Sequence, residues 1–261
     1  MRSHIAVKFI MMGMLLGLGA CNSDGPVSSG SQGRVKVYLT DAPADNIEKF
    51  TLTISSVEAK SDKEWVVISS GPMVINLLDY HGGKSVMLAE ASLLPGSYSD
   101  IRLNVSSAVI VVNGQSIALD LDDVKTSGLR LKHHFVIQPG ATVELVIDMH
   151  AKESCEDHGQ GKWKLKPKLR IVSLPLAGSI TGVVDPPHAG VIVKVFEFEH
   201  KNELELVTST TADPLTGRFT LAFLPPGKYW VQILDPGQQQ YTIDNVEVKS
   251  GAQTDVGVIV L

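Results

Sequence analysis

Five residues with metal-binding side chains crowd one stretch: His150, Cys155, Glu156, Asp157 and His158. Imidazole nitrogen and thiolate sulfur are good ligands for transition metals, and a bound zinc could activate water for hydrolysis. The spacing matches no established zinc pattern, and a polar loop between Met149 and Trp163 gathers such residues without any metal. Both readings stand at this level, a metal site on His150, Cys155 and His158 or a loop with none. Asp120, Asp122 and Asp123 offer oxygen ligands of the kind calcium takes, but the central Gly and terminal Glu of an EF-hand loop are missing. Asp41, before Ala42-Pro43, fits an Asx-turn better than a calcium site. His133 falls on the apolar side between Leu131 and Phe135, where a hydrogen-bonded core histidine is the default over a ligand or pH switch. Lys162, Lys164, Lys166, Lys168 and Arg170 alternate with Trp163, Leu165, Pro167, Leu169 and Ile171. Such a stripe could grip an anionic polysaccharide or lipid headgroups, but Pro167 favours an edge strand protected by charge. No nucleophile elbow, zinc-protease helix, phosphate loop or dinucleotide fingerprint occurs after the leader. No catalytic residue and no cofactor is therefore expected.

The remaining thiol lies near the start. Arg2 and Lys8 precede an apolar run, Phe9 to Leu18, of about ten residues. That length is too short to cross about 30 Å of hydrocarbon and suits a secretory leader. Leu18-Gly19-Ala20-Cys21 follows, and it resembles the lipobox of bacterial lipoproteins. The resemblance implies lipidation of Cys21, cleavage before it, and a polypeptide held at a membrane by two or more acyl chains. An ordinary signal peptide cut after Ala20 is the alternative. Asn22 in place of Asp implies, by resemblance to enteric lipoproteins, the outer membrane, with periplasmic or surface orientation left open. Residues 22–33 are rich in Gly and Ser and read as a tether spanning roughly 20 Å.

At 261 residues the chain has length for two domains, and 44% apolar content suffices for buried cores. Its net charge is -5, and loss of Arg2 and Lys8 with the leader makes the rest more acidic, which argues against nucleic acid as a partner. With Cys21 acylated, Cys155 is left as an odd thiol, so packing alone must hold the fold.

Period-two alternation dominates from Arg34 onward, as in Val35, Val37, Leu39 and in Phe50, Leu52, Ile54. Asn113-Gly114, between Ala108–Val112 and Ile117, Leu119, Leu121, reads as a type I′ hairpin. Pro139-Gly140 turns between two further alternating runs, and Trp163 to Ile171 finishes this half. One helical turn or two is expected around Val86–Leu93. Beyond Leu174–Gly178, about seven strands follow within some 85 residues, the count of a small Ig-like sandwich. Leu94-Pro95-Gly96-Ser97-Tyr98 and Pro225-Pro226-Gly227-Lys228-Tyr229 echo each other, and each Tyr is expected to bury its ring and return its hydroxyl to backbone. The fold expected is all-β: a leader (1–20), a lipidated Cys and tether (21–33), a first β-sandwich (34–174) and a second (175–261).

Val37-Tyr38-Leu39-Thr40-Asp41-Ala42-Pro43-Ala44, Asn76-Leu77-Leu78, Leu94-Pro95-Gly96 with Tyr98, Ile101-Arg102-Leu103 and Lys166-Pro167-Lys168-Leu169-Arg170 resemble the DUF4382 family of bacterial lipoproteins over about residues 33–174. That family brings location and fold but no activity. The second half is similar to the carboxypeptidase regulatory-like, prealbumin-like module, through Gly182, Ala189-Gly190, Thr211 with Asp213, Gly217-Arg218-Phe219, Leu224 to Tyr229 and Gly251. Two extra residues between Asp213 and Gly217 imply a longer hairpin there. The resemblance implies an accessory or binding domain with a carbohydrate-binding-like fold. The function expected is a membrane-anchored binding or scaffolding protein of the cell envelope, with an envelope protein or glycan as partner. A metal-dependent hydrolase on His150, Cys155 and His158 and a purely structural component are the alternatives; ligand and oligomeric state are open.

Overall fold

The computed structural model describes residues 31–42, 47–198, 204–237 and 239–261. Cys21, its leader and most of the tether lie outside the described residues. No helix among the described residues is long and apolar enough to cross a membrane.

Among the described residues the first half contributes eleven strands: β1 (Gly33–Ala42), β2 (Lys49–Ser61), β3 (Trp65–Asn76), β4 (Val86–Leu93), β5 (Gly96–Val112), β6 (Gln115–Asp120), β7 (Leu129–Ile137), β8 (Thr142–His150), β9 (Cys155–Asp157), β10 (Trp163–Leu165) and β11 (Leu169–Ser173). They form two sheets. One has the order β11-β8-β1-β4, with β1 and β8 parallel from Arg34↔Thr142 to Ala42↔His150. The other runs β3-β2-β5-β6-β10-β9, with β7 also paired to β5. The alternation seen in the sequence fills the space between them: Val35, Val37 and Leu39 meet Phe50, Leu52 and Leu145 in one apolar cluster. Each such side chain contributes about 1.5–3 kcal/mol of burial free energy.

The second half contributes β12 (Gly178–Asp185), β13 (Ile192–Phe198), β14 (Leu204–Thr211), β15 (Arg218–Leu224), β16 (Gly227–Leu234), β17 (Gln240–Val248) and β18 (Gln253–Val260). Sheets β15-β12-β18 and β14-β13-β16-β17 enclose a separate core that includes Ile180, Val193, Phe219, Tyr229 and Val231. β12 and β18 are parallel neighbours.

Local chemistry explains several joints. Asn113 and Gly114 take φ of +50° and +71°, the left-handed pair that a type I′ hairpin requires between β5 and β6. Both expected tyrosine contacts form: the Tyr98 hydroxyl donates to Leu94 O (3.1 Å) and that of Tyr229 to Pro225 O (2.6 Å). Burial pushes the Tyr229 phenol up to about 12, so it stays a donor. Tyr229→Phe is expected to lower stability by about 1 kcal/mol, the usual worth of one such hydrogen bond, readable as a shifted urea midpoint at unchanged slope.

Two expectations fail. Val86–Leu93 is the strand β4, paired antiparallel with β1, and the short helix lies instead at α1 (Asp122–Lys125). Met87, Leu88, Ala89 and Glu90 favour helix locally, but burying Leu88, Ala89 and Leu93 against β1 overrides that preference. The run from Trp163 to Ile171 is two strands in different sheets, β10 on β6 and β11 on β8. Pro167 lies between them, where the chain crosses from sheet to sheet, and Ser154 ties the crossing by accepting from Lys168 N (2.9 Å) at its hydroxyl and from Lys166 N (2.9 Å) at its carbonyl.

Candidate functional site

The polar residues after β8 do not converge. Along β8, Asp148 and His150 point away from the first core, on the face opposite Ile147 and Met149. His150 is buried, with Nε2 2.9 Å from Val207 O in the second half. A carbonyl only accepts, so Nε2 carries the proton, and Nδ1 lies 3.7 Å from Glu153 Oε2. Cys155 sits half-buried, and burial together with the Asp41 charge pushes its thiol up to about 12. A metal would need the thiolate. His158 is exposed beside Glu156 at 3.5 Å. Among the described residues, no group of three or more His, Cys, Asp or Glu side chains is placed to hold a metal ion. The hydrolase reading thus loses the ligand set of His150, Cys155 and His158 on which it was built. Strand alternation turns His150 one way, and the turn before β9 carries the other two elsewhere.

The other polar candidates also serve local structure. Asp120 accepts from Asp122 N at 2.9 Å ahead of α1, and Asp123 pairs with Lys164 at 2.9 Å. Asp41 is buried at the end of β1 and accepts from Ala151 N at 3.1 Å; the turn expected after it runs into residues 43–46, outside the described residues. The Lys stripe is broken up by pairing, with Lys166 3.7 Å from Glu156, Lys168 3.4 Å from Glu153 and Arg170 bonded to Asp148. His133 is half-buried, and burial, with the neighbouring His134, lowers its pKa.

What the fold does build is a groove of about 610 Å³ at the β6–β10 border, lined by Leu119, Asp120, His158, Lys162, Trp163 and Lys164. Parallel pairing sets Trp163 opposite Leu119 and Lys164 opposite Asp120. The 158–162 turn closes one end through His158 N to Lys162 O (2.9 Å) and Lys162 N to Gly159 O (3.0 Å). A partly exposed indole flanked by ammonium and carboxylate groups can stack on an apolar ring face while hydrogen-bonding its hydroxyls. Trp163 was visible in sequence only as the apolar side of the Lys stripe. Its partner wall was not visible, because β6 lies about 45 residues upstream.

A second aromatic is already occupied. Trp65 carries the Arg102 guanidinium 4.1 Å from its ring centroid, with Arg130 at 5.6 Å and Lys60 at 5.8 Å. Arg102 in turn binds Glu58 through Nε at 2.7 Å, and Arg130 holds the buried Asp100 at 2.8 Å. The Arg130 hydrogen bond keeps the Asp100 carboxyl below its usual range. This network staples β2, β5 and β7 across their outer face.

The two halves meet through buried polar contacts. Arg170 grips Asp148 Oδ2 through Nε (2.9 Å) and Nη2 (2.6 Å) and donates Nη1 to Phe223 O at 2.8 Å. With the His150–Val207 bond, these contacts join β8 and β11 to β14 and β15.

The fold and these sites define an all-β protein of two packed cores whose built features are grooves and joints. The chain belongs to the DUF4382 family, a domain of unknown function, matched over residues 32–167. No curated protein matches it. Solved structures similar to it include the minor pilin of Streptococcus agalactiae, at 10% identity and TM-score 0.23, covering 86% of this chain and 94% of that one. Another is the fimbrial anchor protein of Porphyromonas gingivalis, at 14% identity and TM-score 0.20, covering 81% and 82%. A leucine-rich repeat protein from Bacteroides thetaiotaomicron aligns at 13% identity and TM-score 0.20 over 88% of this chain, which spans only 26% of that protein's length. Likeness at this level carries no argument about function.

Proposed function

We propose that the protein is a lipid-anchored, extracytoplasmic binding or scaffolding protein of the cell envelope, and that it takes a glycan in the groove beside Trp163. The groove carries the reading: an open cavity of about 610 Å³ with one partly exposed indole and charged groups of both signs. The leader and Leu18-Gly19-Ala20-Cys21 support the anchor, and Asn22 supports the outer membrane. The likeness of the second half to carboxypeptidase regulatory-like modules supports an accessory role rather than a catalytic one.

Two arms test the reading. In the first, the full chain is applied to a panel of immobilised envelope glycans. Trp163→Ala is expected to weaken the retained sugar by about tenfold, the loss of one stacking contact; equal retention by the variant overturns the site. In the second, Cys21→Ser is expected to move the protein from the membrane pellet to the soluble fraction, and unchanged fractionation overturns the anchor.

A further inference from the structure

A cavity of about 290 Å³ lies where the loop before β4 meets the second half, with walls that include His81, Lys84, Thr210, Thr211, Arg218 and Thr220. The loop is held from beneath. The Thr40 hydroxyl lies 2.8 Å from Tyr80 O and 2.7 Å from Lys84 O, and Asp41 N donates to Tyr80 O at 2.8 Å. Gly82 and Gly83 take φ of +64° and +89°, and they let the backbone press against the opposite sandwich. A Cβ at Gly83 would stand 3.5 Å from Ala222 Cβ, and one at Gly82 would stand 3.8 Å from Thr210 Oγ1.

Lys84 and Arg218 are exposed, and among the described residues neither has an ion-pair partner. His81 Nδ1 is buried without a hydrogen-bond partner among the described residues. Burial first, and the Lys84 charge second, lower the His81 pKa, with Asp79 opposing them. The carboxylate on the cavity wall, Asp213, is engaged elsewhere: its Oδ1 accepts from Leu215 N (3.0 Å), Thr216 N (2.8 Å) and Thr216 Oγ1 (2.9 Å). Those bonds keep Asp213 ionised, so its charge opposes an anion in the cavity and sets a limit on affinity. Lys84 and Arg218 nevertheless line one space together with the His81 ring, Thr210, Thr211 and Thr220, and their ammonium and guanidinium groups are the donors that an oxyanion requires.

We propose that this cavity binds the oxyanion of a small hydroxylated ligand, a phosphate monoester or a sugar carboxylate. Lys84 would grip it from the first half and Arg218 from the second, so occupancy would also tie the two sandwiches together. This site is separate from the groove beside Trp163, and neither proposal depends on the other.

The test uses the purified full chain and the ring resonances of His81, assigned by their loss in His81→Asn. Glucose 6-phosphate and glucuronate are titrated separately, with glucose and sodium chloride at matched ionic strength as controls. A bound anion favours the imidazolium, so the His81 titration midpoint is expected to rise saturably with one or both oxyanions and not with either control. Glucose 6-phosphate alone would identify phosphate chemistry, and glucuronate alone would identify carboxylate chemistry. Lys84→Gln and Arg218→Gln are each expected to abolish the response, and Lys84→Arg to retain it. A shift that chloride reproduces, no shift with either oxyanion, or a response that survives both Gln variants overturns the proposal.

Discussion

Arg170→Ala is expected to destabilise the protein by about 3–5 kcal/mol, the usual consequence of stranding a buried charge. Asp148 is 1% exposed, and among the described residues its Oδ1 already has no partner. Both hydrogen bonds to its Oδ2 come from Arg170. Truncation leaves that carboxylate bare between the two sandwiches and strips a donor from Phe223 O. Phe223 itself sits at φ +57°, a conformation that a non-glycine residue holds only when its surroundings enforce it. Urea denaturation measures the loss. Arg170→Lys keeps the charge without the planar fork and should recover only a fraction of it. Replacing the pair together, Asp148→Leu with Arg170→Met, should recover most, because no charge is then left buried. A loss below about 1 kcal/mol in Arg170→Ala would mean that the pair is hydrated, as surface pairs are.

Asp41 should make stability fall as pH rises from about 4 to about 8. Its carboxyl is pushed up to about 8 from an ordinary value of 3.8, chiefly by burial, with the Asp148 charge adding to it and the Ala151 amide opposing both. Below pH 3.8 the group is protonated in both states and contributes nothing. Between 3.8 and about 8 the unfolded chain loses this proton while the folded chain keeps it, so the unfolded state binds fewer protons and stability declines with pH. The span amounts to roughly 6 kcal/mol at its alkaline limit. Asp41→Asn retains an acceptor for Ala151 N and cannot ionise. It should therefore flatten this stretch of the curve and exceed the wild type most clearly above about pH 8. Identical pH profiles for the two proteins would show that Asp41 is ionised in the fold.

The strands were legible because each alternates with a period of two over its own length. Val35, Val37 and Leu39 announce β1 without any knowledge of what covers them, and Asn113-Gly114 announces its hairpin. The two Pro-Gly-x-Tyr segments were legible for the same reason, since each tyrosine bonds a carbonyl four residues away. Where long-range pairing decides, local reading fails. Val86–Leu93 looks helical until β1 lies beside it, and the Lys162–Arg170 stripe looks continuous until Pro167 takes it from one sheet to the other. His150, Cys155 and His158 are near in sequence, yet a strand end and a tight turn send them apart. The groove beside Trp163 and the cavity at Lys84 and Arg218 join segments tens of residues apart, or more than a hundred, so composition and spacing along the chain gave no sign of them. Asp148 and His150 face outward from the first core, and the groups that meet them there, Arg170 with Phe223 O and Val207 O, come from strands far along the chain.

The parallel pairing of β12 with β18 bears on how the second sandwich would respond to tension. Residue 178 opens β12 and residue 260 closes β18, and the two strands run in the same direction side by side. A pull outward from those two points drags one strand lengthwise past the other, so the ladder from Ser179↔Gln253 to Asp185↔Val260, which shifts register between Thr181 and Val183, is loaded in shear. Strands peeled apart from a single end would instead lose their bonds in succession. Forced rupture is governed by the unfolding rate rather than by equilibrium stability, and loading this ladder in shear raises the barrier relative to peeling the same strands from one end.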